Sequence, residues 1–592
     1  MSPESQPSRP PEQPHVASGS SRSKAGSHPK LTTRLYDVWS QVWSEVLRRH
    51  SLTGIVVATL FYVAANTPSL LPRPWWLQGI VAAVSAVLGY AAGNVIGLAA
   101  RAVIGWMGLR VTMDQRRARI LLGTLFGLEI LGVLAFPFLT IAWQQYVTTY
   151  VGQEPPGLWY PIGSTAVALV VFAVSIALWR VVTALLHWML ARVESRILRE
   201  AVARTIATAL TIATVVLAIQ FVNPFVMAAV ERNAARVNAA SPAGKVAPTS
   251  SLRSGGPGSP WSWESLGQDG ATFVSSGPDA AGITAATGRP AKEPIRVFVG
   301  VGAPLTQTRD AVLAELDRTR AWDRKAILVT TATSTGFINV WGAASFECLL
   351  DGDTAIASMA YSDLPSAFGL LTAGQEPPES ARLLLDGVRA RVAAMPADTR
   401  PKIYVTGESL GAYGSDGAFS SPEQILQEVD GAVWSGTPEF APNRRRLTAA
   451  RQPGSTTIVP VIDNGAHIRF AGDPTQLDAD EYDRTLGPWD APRVVYLQHP
   501  SDPVVWWSPN LLFTSPEWLR ETRGGTPMAQ MSWTPLVTFW QVSADMLVSN
   551  NVPGGFGHRY FGPDMVPAWA QVLGITDRSP EQLERIIDTV GR

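Results

Sequence analysis

The sequence predicts an α-helical transmembrane bundle of about five spans, followed by an α/β domain with a mainly parallel sheet. Three observations carry this reading. Long uncharged intervals recur through the N-terminal part, short β-branched runs alternate with helical periodicity in the C-terminal half, and an Ala/Gly/Ser/Pro-rich stretch lies between them. The 592 residues carry 48 basic and 48 acidic side chains, a balance that argues against a nucleic-acid partner bound through a dominant basic field. Charged residues make up only 16%, below the ~25% of an ordinary soluble domain. A single cysteine, Cys348, rules out a disulfide framework and a cysteine zinc site. Nothing calls for a metal or organic cofactor, since no ligand cluster or phosphate-cradling loop is evident.

Residues 1–30 are Ser, Pro, Gly and Arg with little to bury, which predicts a disordered arm. The first apolar run begins near Leu52 and is too long for a signal-peptide core, so no signal peptide is expected.

Residues 31–232 read as the membrane region. No charge occurs between Arg49 and Arg73, Arg73 and Arg101, Glu154 and Arg180, or Arg204 and Glu231, and only Glu129 interrupts the interval after Arg119. A spanning helix needs ~20 apolar residues, which predicts spans at about 52–71, 77–98, 119–143, 161–184 and 205–230. Arginines cluster before the first span, after the second (Arg101, Arg110, Arg116, Arg117, Arg119) and after the fourth (Arg192, Arg196, Arg199). Positive short loops stay cytoplasmic. The N-terminus is therefore expected inside a cytoplasmic (inner) membrane and the C-terminal domain outside it. Trp75, Trp76, Trp143, Trp159 and Tyr160 fall at span ends, where amphipathic rings favour the interface. Glu129 is costly inside a span unless it faces protein or water, as a helix-packing hydrogen bond or as part of a substrate path. Asn66-Thr67-Pro68-Ser69 and Asn223-Pro224 should break helices near the outer face and shape a mouth beneath the outer domain.

Residues 233–292 read as a linker, with one island, Trp261–Gly267, able to dock on a folded surface. Residues 293–592 then form the α/β domain. Strands are expected at Ile295–Gly300, Ala326–Thr331, Thr354–Tyr361, Lys402–Thr406, Gly431–Trp434 and Arg493–Leu497, with helices at Arg309–Ala321 and Pro378–Ala394.

The string Lys402-Ile403-Tyr404-Val405-Thr406-Gly407-Glu408-Ser409-Leu410-Gly411 runs a β-type segment into G-x-S-x-G, the pattern of a nucleophile raised on a strained strand-to-helix turn. A serine hydroxyl needs an imidazole to take its proton and a carboxylate to orient that imidazole. Downstream of Ser409 the histidines are His467, His499 and His558. His558 lies in the glycine-rich loop Gly554–Arg559 near the domain's end, where the base belongs, and Asp502 follows the late strand ending at Leu497. Ser409, Asp502 and His558 are the candidate triad. His499 is the alternative base, Asp463, Asp545 or Asp564 the alternative acids, and His467 resembles a turn residue. The backbone N–H of Leu410 is the first candidate oxyanion donor, and Gly336 in Thr333–Phe337 the second. Aromatic residues crowd Trp489–Trp540, either as an acyl-binding wall or as packing.

With these residues identified, the chain resembles the membrane-anchored α/β-hydrolase family of bacteria, best known in actinobacteria, over about residues 50–570. The resemblance rests on Thr67-Pro68-Ser69-Leu70-Leu71-Pro72-Arg73, Trp263–Gly267, Gly407–Gly411, Leu497–Trp507 and Gly557-His558. It implies an α/β-hydrolase fold with Ser, Asp and His at the positions proposed, and it fixes no substrate. One departure stands out: Pro535–Val548, before His558, reads as helix rather than as a last strand.

The reading that follows is a serine hydrolase of esterase or lipase type facing the cell envelope, acting on acyl lipids or lipid-linked esters at the bilayer. The same machinery would serve an acyltransferase. A different class, a membrane protein with a non-catalytic hydrolase-like domain, would need polar groups through the spans, and only Glu129 is evident.

Overall fold

A computed structural model describes residues 51–108, 115–194, 232–233, 236–362, 374–521 and 526–591. The expected disordered arm and the fifth span lie outside these residues.

In the C-terminal domain, seven strands form one sheet: β1 Ile295–Val299, β2 Ala326–Thr331, β3 Thr354–Met359, β4 Lys402–Glu408, β5 Gly431–Ser435, β6 Ile468–Ala471 and β7 Arg493–Leu497. Their spatial order is β1-β3-β2-β4-β5-β7-β6, and every pairing is parallel. Parallel strands covered on both faces read as unbroken apolar runs, and β1, β2, β3 and β5 are buried at every position. One face packs Val312, Leu316, Leu384 and Val388 of two crossover helices. The other packs Phe346, Met565 and Trp569. β4 is the central strand, so its carboxyl end opens at the middle of the sheet edge.

Six strands fall where the sequence placed them. β6 was not foreseen, because its four residues are too few for a period to show. The crossover helix Glu376–Ala393 is as expected, and Val537–Met546 is helical.

The segment expected to be a linker is largely built into the domain. Ser254 N–H donates to Arg296 O at 3.0 Å, and Arg296 N–H to Leu252 O at 3.2 Å, so this stretch runs along β1. The helix Gly267–Ser275 buries Phe273 and Val274 completely, and Arg296, itself buried, donates to Phe273 O at 2.7 Å while pairing with Glu347. Small residues disguised the short helices Gly267–Ser275 and Ala280–Thr287, the second of which buries Ile283. The Trp261–Gly267 island does dock, through Leu266.

Among the described residues of the N-terminal region, three helical stretches are long and apolar enough to cross a membrane: Trp75–Trp106, Gly123–Tyr150 and Trp159–Val182. The first expected span is corrected. Its helix, Leu52–Ala65, has 14 residues and stops at Asn66, short of the ~20 required, because Pro68 cannot continue the ladder. Glu129 is half-buried, and its Oε2 makes no hydrogen bond among the described residues.

The chain from Asn66 to Pro74 folds against the α/β domain. Leu70 and Leu71 are buried with Trp506, Leu511, Val537 and Val542. Trp506, Trp507 and Trp518 of the aromatic stretch are therefore packing between the two regions, whereas Phe513 and Trp540 are exposed.

Candidate active site

Gly407 is the last residue but one of β4 and Gly411 the second residue of the helix Leu410–Gly417, and neither position admits a side chain. A Cβ on Gly407 would strike the Gly411 carbonyl, and one on Gly411 would strike Thr331 O of β2. Between them Ser409 adopts φ 58°, ψ −124°, a conformation that costs a non-glycine residue about 1–3 kcal/mol and persists only where the surroundings impose it. Its own N–H is fixed on Ser435 O at 3.0 Å, at the end of β5. Ser409 is partly exposed and precedes the helix Leu410–Gly417. Leu410 opens that helix, so its N–H has no intrahelical acceptor.

The next residue on β5's exit, Gly436, has φ 58°, and a Cβ there would collide with the His558 ring. The imidazole thus lies against the turn that also holds the Ser409 amide. His558 Nδ1 is 2.8 Å from Asp502 Oδ2. Asp502 is fully enclosed, and it also accepts Tyr560 Oη–H at 2.8 Å and Val504 N–H at 2.9 Å. With Nδ1–H on the carboxylate, Nε2 is the ring's basic nitrogen; it is buried and makes no hydrogen bond. Burial alone would lower the His558 pKa, but the charges of Asp502 and Glu408 outweigh it and raise the pKa above the ordinary value.

The alternatives are placed otherwise. His499 sits between Gly557 O (3.0 Å from Nδ1) and Asp564 Oδ1 (3.1 Å from Nε2), with its ring stacked on Tyr560 at 4.1 Å. Asp545 pairs with Arg73. Asp463 lies in a 3-10 turn, and His467 Nδ1 contacts Asp490 O and Pro492 O.

The second oxyanion candidate is corrected. Gly336 has φ 105°, and its N–H already closes a turn onto Thr333 O at 2.8 Å. In the same loop Thr333 Oγ1 is buried without a partner.

Sequence reasoning missed Glu408, Asn339 and Tyr560 as parts of the site. Glu408, beside the serine, is buried, and that burial pushes its carboxyl up to about 7. It accepts from Asn339 Nδ2 and from Ser435 Oγ at 3.4 Å. Asn339 also donates to Tyr560 O at 2.8 Å, linking the Ser409 turn to the His558 loop. Only Glu408's place inside the motif could have signalled this. Among the described residues no His/Cys/Asp/Glu group is arranged to hold a metal.

The sheet, the turn at Ser409 and the enclosed imidazole–carboxylate pair define an α/β-hydrolase fold. Family matches agree: residues 295–586 match a model described as an alpha/beta-hydrolase family, and residues 67–278 match the N-terminus of an alpha/beta-hydrolase family. The chain is an α/β-hydrolase family protein. No curated protein matches it. Among solved structures, a Trichoderma reesei cutinase in complex with a C11Y4 phosphonate inhibitor aligns over 41% of this chain and 84% of its own, at 10% identity and a TM-score of 0.17; the fold assignment rests on the sheet and the family.

Proposed function

We propose that the protein is a membrane-anchored serine hydrolase that cleaves acyl esters through Ser409, His558 and Asp502. The observation that carries this reading is the strained Ser409 turn, whose amide is tied to the strand exit against which the Asp502-braced imidazole lies. Ser409 Oγ attacks the ester carbonyl as His558 Nε2 takes its proton. Asp502 holds the imidazolium formed in that step. The Leu410 N–H, with the unpartnered Thr333 hydroxyl in place of the Gly336 amide, stabilises the oxyanion. The tetrahedral adduct collapses as His558 returns the proton to the leaving alkoxide, and water then resolves the acyl-enzyme by the same path. An alcohol in place of water makes the enzyme an acyltransferase.

Three helices of membrane-crossing length among the described residues support membrane anchoring, which we assign to the cytoplasmic membrane. Arginine placement supports an extracytoplasmic catalytic domain, which favours acyl lipids or lipid-linked esters as substrates. The test is labelling of the purified full chain by a fluorophosphonate: wild type labels, whereas Ser409→Ala and His558→Ala do not. Unchanged labelling of Ser409→Ala refutes the nucleophile.

A further inference from the structure

A second polar centre lies apart from the triad, and it holds a buried guanidinium that forms no ion pair among the described residues. The helix Pro442–Ala449 follows the exit of β5, and its Arg444 is 2% exposed. Taking a guanidinium out of water costs several kcal/mol unless a carboxylate or a full set of acceptors replaces the solvent. Arg444 has neither. Its Nε donates to Gln498 Oε1 at 3.1 Å, its Cζ stands 5.6 Å from the Trp506 ring centroid, and it makes no ion pair among the described residues. The nearby buried carboxylate, Asp416, is spent on the backbone N–H groups of Asn443 and Arg444 and on Tyr496 Oη–H. Neither Nη of Arg444 makes a hydrogen bond to a described residue.

The guanidinium borders a cavity of about 420 Å³. Arg445, Arg451 and Arg520 line the same cavity, with Glu439 and Glu517 as its acidic members, so positive charge exceeds negative by two. Arg451 is held by Glu517 and Glu521, at 3.1 and 2.9 Å. Arg445 and Arg520 are exposed and make no ion pair among the described residues. The remaining wall includes Trp506, Leu511 and Trp518, which belong to the apolar cluster that receives Leu70 and Leu71 from the N-terminal region.

We infer that this cavity is a binding site for a phosphate-bearing anionic amphiphile, with Arg444 as the buried anchor. The planar guanidinium fork offers paired N–H donors to a phosphate or carboxylate. A cavity of this size far exceeds a bare phosphate ion. Its indole and leucine wall suits an apolar body, and its position at the junction with the apolar helices suits a lipid headgroup. The site does not depend on Ser409, and so it stands or falls separately from the hydrolase reading.

The test uses the full chain in neutral detergent micelles, with thermal unfolding followed against dihexanoyl phosphatidylglycerol, dihexanoyl phosphatidylcholine or inorganic phosphate. A ligand that binds only the folded state raises Tm saturably. Phosphatidylglycerol is expected to do so in wild type and equally in Ser409→Ala. Arg444→Met should unfold no earlier than wild type without ligand, because it removes an unpaired buried charge. It should lose about 10- to 100-fold in affinity, the ratio carried by charge-assisted hydrogen bonds. The exposed double variant Arg445→Gln/Arg520→Gln provides a second reading should Arg444→Met fold poorly, and it is expected to weaken binding as well. Phosphatidylglycerol acting alone supports the amphiphile, whereas inorganic phosphate matching the lipid's affinity overturns it and leaves a site for free phosphate. No shift with either anion, or equal shifts with phosphatidylcholine and phosphatidylglycerol that persist in both Arg variants, overturns the proposal.

Discussion

Arg73 Nε stands 3.1 Å from Asp545 Oδ1, with the two side chains 1% and 0% exposed, and this ion pair joins the N-terminal region to the α/β domain. Asp545 lies on the helix Val537–Met546 and also receives Ser69 Oγ–H and the Leu70 N–H, the latter at 3.0 Å. Leu71 Cδ1 comes within 3.3 Å of the point where a Cβ would stand on Gly557, the neighbour of His558. The Thr67–Arg73 segment therefore braces the loop that carries the imidazole. Removing one partner of a buried pair costs about 3–5 kcal/mol, because the other charge stays behind, whereas apolar replacement of both is often neutral. Arg73→Ala should lower Tm sharply, and Arg73→Met/Asp545→Leu should recover much of the loss. A double variant as unstable as the single one would show that the contact is not a pair.

The strain at Ser409 predicts a gain in stability on losing the side chain. At φ 58°, ψ −124° glycine is unstrained, so Ser409→Gly should recover about 1–3 kcal/mol, less the ~0.5–1 kcal/mol of extra backbone entropy that glycine loses on folding. Ser409→Ala keeps the Cβ and the strain. Denaturation midpoints should rank Gly above both Ser and Ala, with both variants inactive; Ala equal to Gly would mean the turn is relaxed.

Glu408 is expected to act on the pH profile through His558. Its charge is among those that raise the imidazole pKa, and the base works only when neutral. Glu408→Gln keeps an oxygen to accept from Asn339 and Ser435 but removes the charge. The imidazole pKa should fall, and the acid limb of kcat/KM, which reports the free enzyme, should move to lower pH. A limb that stays in place while kcat drops would assign Glu408 a purely structural role.

Much of this was legible in the sequence, for reasons particular to each element. The sheet strands are buried on both faces, so β-branched runs marked six of them, and the G-x-S-x-G glycines are required by backbone clashes at Gly407 and Gly411 that no other residue avoids. Asp502 and His558 were legible through chain order, and they stand 2.8 Å apart. What sequence could not show were tertiary facts. The Gly336 amide is spent on a neighbouring carbonyl, the first apolar interval turns away at Asn66 to dock, and an Ala/Gly-rich stretch conceals Phe273 and Val274 as core.

His499 carries the last prediction. Both ring nitrogens face acceptors, Gly557 O and Asp564 Oδ1, so both contacts are hydrogen bonds only when the ring carries two protons. Burial pulls its pKa down, yet the bond and charge of Asp564 outweigh burial and raise it above the ordinary value. A folded-state pKa above that of the unfolded chain makes folding take up a proton. The stabilisation is complete below the unfolded pKa of ~6.5 and fades as pH rises through the folded value. In a Ser409→Ala background, which removes turnover from the comparison, the Tm advantage over His499→Asn should be largest in mild acid and shrink toward alkaline pH. Asp564→Asn should shrink it at lower pH. A Tm difference between the histidine and asparagine forms that is constant from mild acid to mild alkali would mean the ring stays neutral in the folded protein, and the clamp between Gly557 and Asp564 would then hold through one hydrogen bond.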